Sequence, residues 1–317
     1  MTANKRHHKS SFILCGLAVL LSAAVLAGCK KGDGSEETDG KSEGKKPDPV
    51  IHISLPSGQE LVMVRVEAGT FEMSSKDGEN DTNEVPHQVT LTQDFYLAQT
   101  EVTQAQWRAV MGEQTTRFKG DNQPAQYIGW DKAMKFCDKL NAGGIAPDGW
   151  LFSLPTETQW EYAARGGNKS KGYKYSGSNW PDEVAWYRGN ADDMTHPVGM
   201  KMPNELGLYD MSGNVYEWCL DDWEKDSSKL TAEFARENYK LLGSRSGYRS
   251  EDYRAYRGGC YFSEKECRTR WRKDNYGNNV WDYNGFRVAL VPDTWAKALQ
   301  AEAAAAETAV ESAKAAE

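Results

Sequence analysis

The sequence predicts one loop-rich α+β domain, and three observations carry that expectation. Short apolar runs of strand length are interleaved with stretches of helical periodicity. Eleven Trp and fifteen Tyr supply large rigid side chains for a core with little regular structure. Residues 51–292, a span of about 240 residues that can bury a substantial core, are flanked by two segments of quite different composition. The polar segment 29–50 and the Ala/Glu-rich segment 293–317 cannot extend that core.

Along the chain, Leu61–Val66 and Gly69–Met73 read as two strands of a β-hairpin broken at Ala68-Gly69. Gln88–Leu91 and Phe95–Leu97 add further strands. Thr103-Gln104-Ala105-Gln106 has the spacing of a capping box, in which a hydroxyl and an amide satisfy the free N–H groups of a helix start. A helix to Met111 follows. Trp130, Ala133, Met134, Cys137 and Leu140 recur at helical spacing, so a second helix turns one face inward. Thr156-Glu157-Thr158-Gln159 repeats the box, and Gly166-Gly167 ends the third helix.

The N-terminus has the pattern of an export signal. Lys5, Arg6 and Lys9 precede the apolar run Phe12–Gly28, which is short for a membrane span. It closes on Leu26-Ala27-Gly28-Cys29, a lipobox pattern in which Cys29 would carry the lipid. Residues 1–28 are therefore expected to be a lipoprotein signal peptide and 29–50 a lipidated cysteine with a flexible tether. The expected location is the bacterial cell envelope, on the exported side and anchored in the membrane through Cys29. Lys30 after Cys29 favours the outer membrane over the inner. The tail 293–317 reads as a solvated helix. A net charge of −8 argues against a nucleic-acid partner, which needs a basic face.

The densest motifs lie between Leu154 and Arg287. Leu154-Pro155-Thr156-Glu157 leads into Trp160-Glu161-Tyr162-Ala163-Ala164-Arg165-Gly166-Gly167. After it come Gly213-Asn214-Val215-Tyr216-Glu217-Trp218, Arg257-Gly258-Gly259, Arg268-Thr269-Arg270-Trp271-Arg272 and Gly285-Phe286-Arg287. Together with Glu101-Val102-Thr103, this order resembles the formylglycine-generating enzyme (sulfatase-modifying factor) family, a variant of the C-type-lectin-like fold. The resemblance implies a copper-dependent oxidase of sulfatase cysteines, with two cysteine ligands at the fourth and ninth places after the Gly-Gly pair. Those places hold Ser263 and Arg268. Copper(I) needs soft thiolates, so copper is not expected. The domain is expected to be non-catalytic, a pseudoenzyme. Cys260 stands where the family has a serine lining the oxygen pocket, and Tyr216 where it has a tryptophan. The alternative is an oxidase with shifted cysteines, Cys260 and Cys267.

The resemblance also implies a structural calcium held by Asp210 and Glu217 side chains and by the carbonyls of Gly213 and Val215. Against it stands a pairing of Glu217 with an arginine such as Arg287. The cysteines Cys137, Cys219, Cys260 and Cys267 remain in an exported domain, where pairing is expected. The resemblance favours a disulfide between Cys219 and Cys267. Three scattered histidines, His52, His87 and His196, argue against the tri-histidine iron enzymes of the same fold. No nucleophile elbow or zinc-spaced cysteine pair occurs.

Binding remains. Lys273–Asn284 is rich in Asn, Tyr, Trp and Asp, the side chains that give adaptable hydrogen bonds and rigid contact area. Asn275, Tyr276, Trp281 and Tyr283 are the expected contacts for a protein, peptide or glycan ligand. Some relatives of the fold are surface lipoproteins diversified for binding in the corresponding segment.

Overall fold

In the computed structural model the described residues are 47–74, 85–113, 116–231 and 253–294. The signal segment, Cys29, the tether to Lys46 and the tail from 295 onward lie outside them. A five-stranded sheet divides the molecule. Its strands are β1 (Val50–Ser54), β2 (Glu60–Val66), β5 (Phe95–Ala98), β6 (Trp150–Ser153) and β11 (Ala289–Pro292), in the order β1-β2-β5-β11-β6. The last strand therefore lies inside the sheet, paired antiparallel with β5 and β6.

Side chains of a strand alternate between faces, and here both faces are covered. Leu61, Met63, Tyr96, Ala98, Phe152 and Leu290 point into one core with Trp107, Phe136 and Leu140. Val64, Val66, Phe95, Leu97, Ala289 and Val291 point into another with Trp160, Ala163 and Ala164. Helices α1 (Gln104–Met111) and α2 (Trp130–Ala142) serve the first core, and α3 (Glu157–Ala164) serves the second. Both capping boxes form: Thr103 with Gln106, and Thr156 with Gln159, each pair bonding in both directions. Gly166, at φ 93°, follows α3 in the left-handed conformation.

Two expectations about the strands change. β2 and β3 (Gly69–Met73) do not form a hairpin with each other; β3 pairs with β4 (His87–Leu91) in a separate two-stranded sheet. The reason is edge occupancy: β1 and β5 take both hydrogen-bonding edges of β2, which leaves none for β3. The expected tether also ends earlier than residue 50. The Pro49 carbonyl accepts from Arg65 N at 2.9 Å, and the Asp48 carbonyl accepts from Tyr96 Oη at 2.9 Å.

A second sheet carries the motif loops. It comprises β7 (Tyr216–Asp222), β8 (Tyr253–Arg257), β9 (Arg272–Tyr276) and the short β10 (Asn284–Gly285), in the order β10-β7-β8-β9. Among the described residues no helix is long and apolar enough to cross a membrane.

Candidate functional site

The acids and arginines of the motifs build two buried ionic clusters. In the first, around α3, Glu157 accepts from Arg257 Nη1 at 2.7 Å and from Arg272 Nε at 2.6 Å. Glu161 accepts from Arg257 Nη2 at 2.6 Å and Arg165 Nε at 2.8 Å. Burial pushes both carboxyls up, but the arginines outweigh it and hold each below its usual range.

The second cluster sits where β7 begins. Arg287 grips Glu217 with two bonds, Nε to Oε2 at 2.6 Å and Nη2 to Oε1 at 2.7 Å. Trp160 Nε1 donates to Glu217 Oε2 at 2.8 Å. Glu101, fully buried, accepts from Asn214 Nδ2 at 2.7 Å and Val215 N at 3.1 Å. Burial, then Asp210 and Glu217, raise the Glu101 carboxyl well above its usual range. Asp210 is pushed up to about 6, chiefly by burial. Its Oδ2 accepts from Gly199 N at 2.6 Å, while Oδ1 accepts no hydrogen bond among the described residues. Gly213 is required here: at φ 83° a Cβ would run into the Trp186 backbone.

This geometry bears on calcium. Both Glu217 oxygens are already filled by a cationic guanidinium and an indole N–H, the pairing weighed against the metal. Only Asp210 keeps an unmatched oxygen. Among the described residues no group of three or more His, Cys, Asp or Glu is arranged to hold a metal ion. Asp210, Gly213, Val215 and Glu217 lie close together in sequence where β7 begins, and in this structure Glu217 is engaged by Arg287 and Trp160.

The oxidase positions lie after β8. Ser263 Oγ donates to Glu266 Oε2 at 2.7 Å, with Tyr216 Oη at 3.1 Å and Cys260 Sγ at 3.3 Å from it. A hydroxyl can donate once and accept from the other two. Arg268, 6% exposed, hydrogen-bonds the Tyr175 hydroxyl. A hydroxyl and a guanidinium therefore fill the two ligand places, and neither suits copper(I).

All four cysteines of the domain are buried and free, so the expected Cys219–Cys267 bond is not formed. Cys219 packs in the core with Trp160 and Leu97, whereas Cys267 packs with Tyr175 and Val184. Cys267 is instead a neighbour of Cys260, whose backbone N–H it accepts. Gly259, at φ 73°, makes this approach possible: a Cβ there would lie 2.7 Å from Cys267 N and 2.8 Å from its Sγ. Burial pushes the Cys260 thiol up to about 12 and Cys267 well above its usual value, so both are protonated at neutral pH.

Of the expected ligand contacts, Tyr276 (43% exposed) and Trp281 (49%) reach solvent. Tyr276 lies over Tyr253, with ring centroids 4.1 Å apart. Asn275 turns back to accept from Tyr276 N at 3.0 Å. Tyr283 is half-buried and belongs to a chain of rings that sequence reasoning missed. Trp281 stacks parallel to Tyr283 at 6.0 Å, and Tyr283 meets Phe262 edge-on at 5.0 Å. Phe262 meets Tyr261 at 5.1 Å, and Tyr261 meets Phe118 at 5.6 Å. Beside this chain, a cavity of about 620 Å³ is lined by Trp107, Met111, Tyr127, Ile128 and Val280, with Lys132 and Lys135 also on its wall.

Comparison with known proteins agrees with this architecture. The chain is 38% identical over 217 residues to the chaperone protein LppX of Paenibacillus barcinonensis, covering 54% of this chain and 74% of LppX. It is 27% identical over 203 residues to the mouse (Mus musculus) formylglycine-generating enzyme, covering 58% of this chain and 49% of the enzyme. It thus spans about half the length of that enzyme. Among solved structures, Treponema denticola variable protein 1 superposes with a TM-score of 0.64 at 26% identity, covering 78% of this chain and all of that one. PvdO from Pseudomonas aeruginosa shares the fold, with a TM-score of 0.60 at 24% identity over 77% of this chain and 99% of its own. The sulfatase-modifying factor enzyme 1-like domain family matches residues 45–291, and the chain belongs to that family.

Proposed function

We propose that the protein is an envelope lipoprotein, anchored through Cys29, whose domain binds a protein, peptide or glycan ligand and does not oxidise cysteine. The observation that carries this reading is the ring chain from Phe118 to Trp281 beside a cavity walled by both apolar and charged side chains. Flat aromatic faces held rigid by their neighbours suit both apolar side chains and the apolar faces of sugars. The loop is braced from below: Tyr261 Oη donates to Asp282 Oδ2 at 3.1 Å, and Arg117 Nη1 donates to the same oxygen at 2.5 Å. A braced surface loses little entropy on binding. Loss of the oxidase is supported by Ser263 and Arg268 at the ligand places and by the protonated state of the nearby thiols.

The test is a screen of immobilised glycans and peptides against the full chain and Trp281→Ala. Trp281 is half-exposed, so its removal leaves the core intact. A hit that weakens about tenfold or more in the variant supports the reading, in line with the usual weight of an aromatic anchor. Hits indifferent to Trp281 place binding elsewhere.

The alternative, a copper-dependent protein-cysteine oxidase with shifted ligands, is favoured by one observation, the contact between Cys260 and Cys267. It requires both thiols to ionise against their burial. Stoichiometric copper(I) binding lost in Cys260→Ser, together with conversion of a sulfatase-type peptide, would establish it.

A further inference from the structure

The three most exposed large apolar side chains among the described residues lie together, around a short helix α4 (Pro181–Val184). Trp180 is 70% exposed, Met200 65% and Met202 50%, and Pro203 beside them is exposed as well. Hydrogen bonds bring them to one place: Met202 N donates to the Glu183 carbonyl at 3.0 Å, and Glu183 N donates to the Trp180 carbonyl at 3.2 Å. Lys201, between the two methionines, is turned onto the protein. Its Nζ donates to the Asp182 carbonyl at 2.8 Å and lies 4.1 Å from the centroid of the Trp186 ring. Single exposed apolar residues are ordinary, but a contiguous group marks a contact surface.

The chain enters the domain beside the same surface. Pro47, Asp48 and Pro49 are exposed, and Pro49 lines a small cavity of about 120 Å³ together with Lys169 and Leu206. Asn204 fixes the segment that leads from Met202 to Leu206: its Nδ2 donates to the Ala163 carbonyl at 2.8 Å, and its Oδ1 accepts from Leu206 N at 3.0 Å. The exposed methionines and the point of entry therefore share one stretch of surface. Residues 30–46 join Cys29 to Pro47, and these seventeen residues reach at most about 60 Å. A lipid on Cys29 would hold the domain within that distance of a bilayer, at a local concentration that is roughly millimolar, so that even a millimolar interface is occupied about half of the time.

We propose that this face docks on the membrane that holds the lipid of Cys29, with Trp180, Met200 and Met202 entering a zwitterionic headgroup layer. An indole settles where headgroups meet acyl chains because its rings are apolar and its N–H is polar, and methionine is flexible and apolar enough to enter beside it. Charges of both signs border the patch, Lys169 with Asp182 and Glu183, all exposed. That mixture suits paired phosphate and ammonium groups, whereas a strongly anionic surface would repel the two acids. The proposal builds on the lipoprotein reading given above.

The test uses the full mature chain reconstituted into phosphatidylcholine–phosphatidylethanolamine vesicles, part of whose lipid carries bromine on the acyl chains and quenches an indole at contact. Mass spectrometry of the N-terminal peptide reports whether Cys29 carries its lipid. The expected result is quenching of the intrinsic fluorescence that is mostly lost in Trp180→Phe and retained in Trp281→Phe. Met200→Asp/Met202→Asp should reduce the quenching several-fold, and both residues are exposed, so that variant retains its fold. A lipidated chain without quenching, or one whose quenching survives in Trp180→Phe and is lost in Trp281→Phe, overturns the proposal and leaves the anchor in place. A Cys29 without lipid overturns the anchor, and the docking with it. A dimer in detergent that Met200→Asp/Met202→Asp dissociates, with Trp180 unquenched in vesicles, assigns the face to a second copy of the chain and also overturns the proposal.

Discussion

Replacing Arg257 by methionine would remove a guanidinium that is fully buried and hydrogen-bonded to Glu157, Glu161 and the Thr269 carbonyl. Methionine fills most of the volume, so the cost comes from charge rather than from a cavity. Glu157 keeps Arg272 and Glu161 keeps Arg165, but Glu161 Oε2 loses its 2.6 Å partner inside the protein. Breaking a buried pair from one side costs roughly 3–5 kcal/mol, and the two retained arginines place the loss near about 3. For a domain of this size that lowers Tm by about 6–12 °C. Circular dichroism melts and urea titration at pH 7 measure it. A loss below about 1 kcal/mol would refute the claim that this cluster is held by charge.

Glu157 and Glu161 have folded values below their ordinary 4.5, so their contribution to stability is fully present above that pH. It is lost as the pH falls through the folded values, and acid titration of the unfolding free energy should show that decline beginning below about 4.5. In Arg257→Met the decline should begin at the same pH, which the unfolded chain sets, and be smaller. A thiol reagent should find Cys137, Cys219, Cys260 and Cys267 unreactive in the native domain and all four reactive after denaturation; a count of two would mean a disulfide. Because Glu217 is occupied by Arg287 and Trp160, chelation with EGTA should leave Tm unchanged. A fall of several degrees would mean that Glu217 exchanges Arg287 for calcium.

Local signals were legible and distant partnerships were not. Thr103 and Thr156 announce their helices because a capping box lies within four residues. The spacing of Trp130, Ala133 and Cys137 gives α2 because one helix face repeats on a short period. The β2–β3 hairpin failed for the converse reason: adjacency suggested a pairing, but β1 and β5 take both hydrogen-bonding edges of β2. Glu101 stood in a recognisable turn, yet its partner Asn214 is 113 residues away, and nothing local marks a carboxyl as buried. The pairing of Glu217 with Arg287 could be named from sequence as an alternative to calcium, and in the structure Arg287 bonds both carboxylate oxygens. The ring chain through Phe118, Tyr261 and Phe262 was hidden because its members come from separate loops.

β11 has a consequence for how the polypeptide comes into being. It is the last strand among the described residues, yet β5 and β6 both pair with it. Until residues 289–292 leave the ribosome, those two strands have no common neighbour, and the Ala289 and Val291 side chains are missing from the second core. The nascent chain therefore cannot close its main sheet before residue 292 has been made and has emerged.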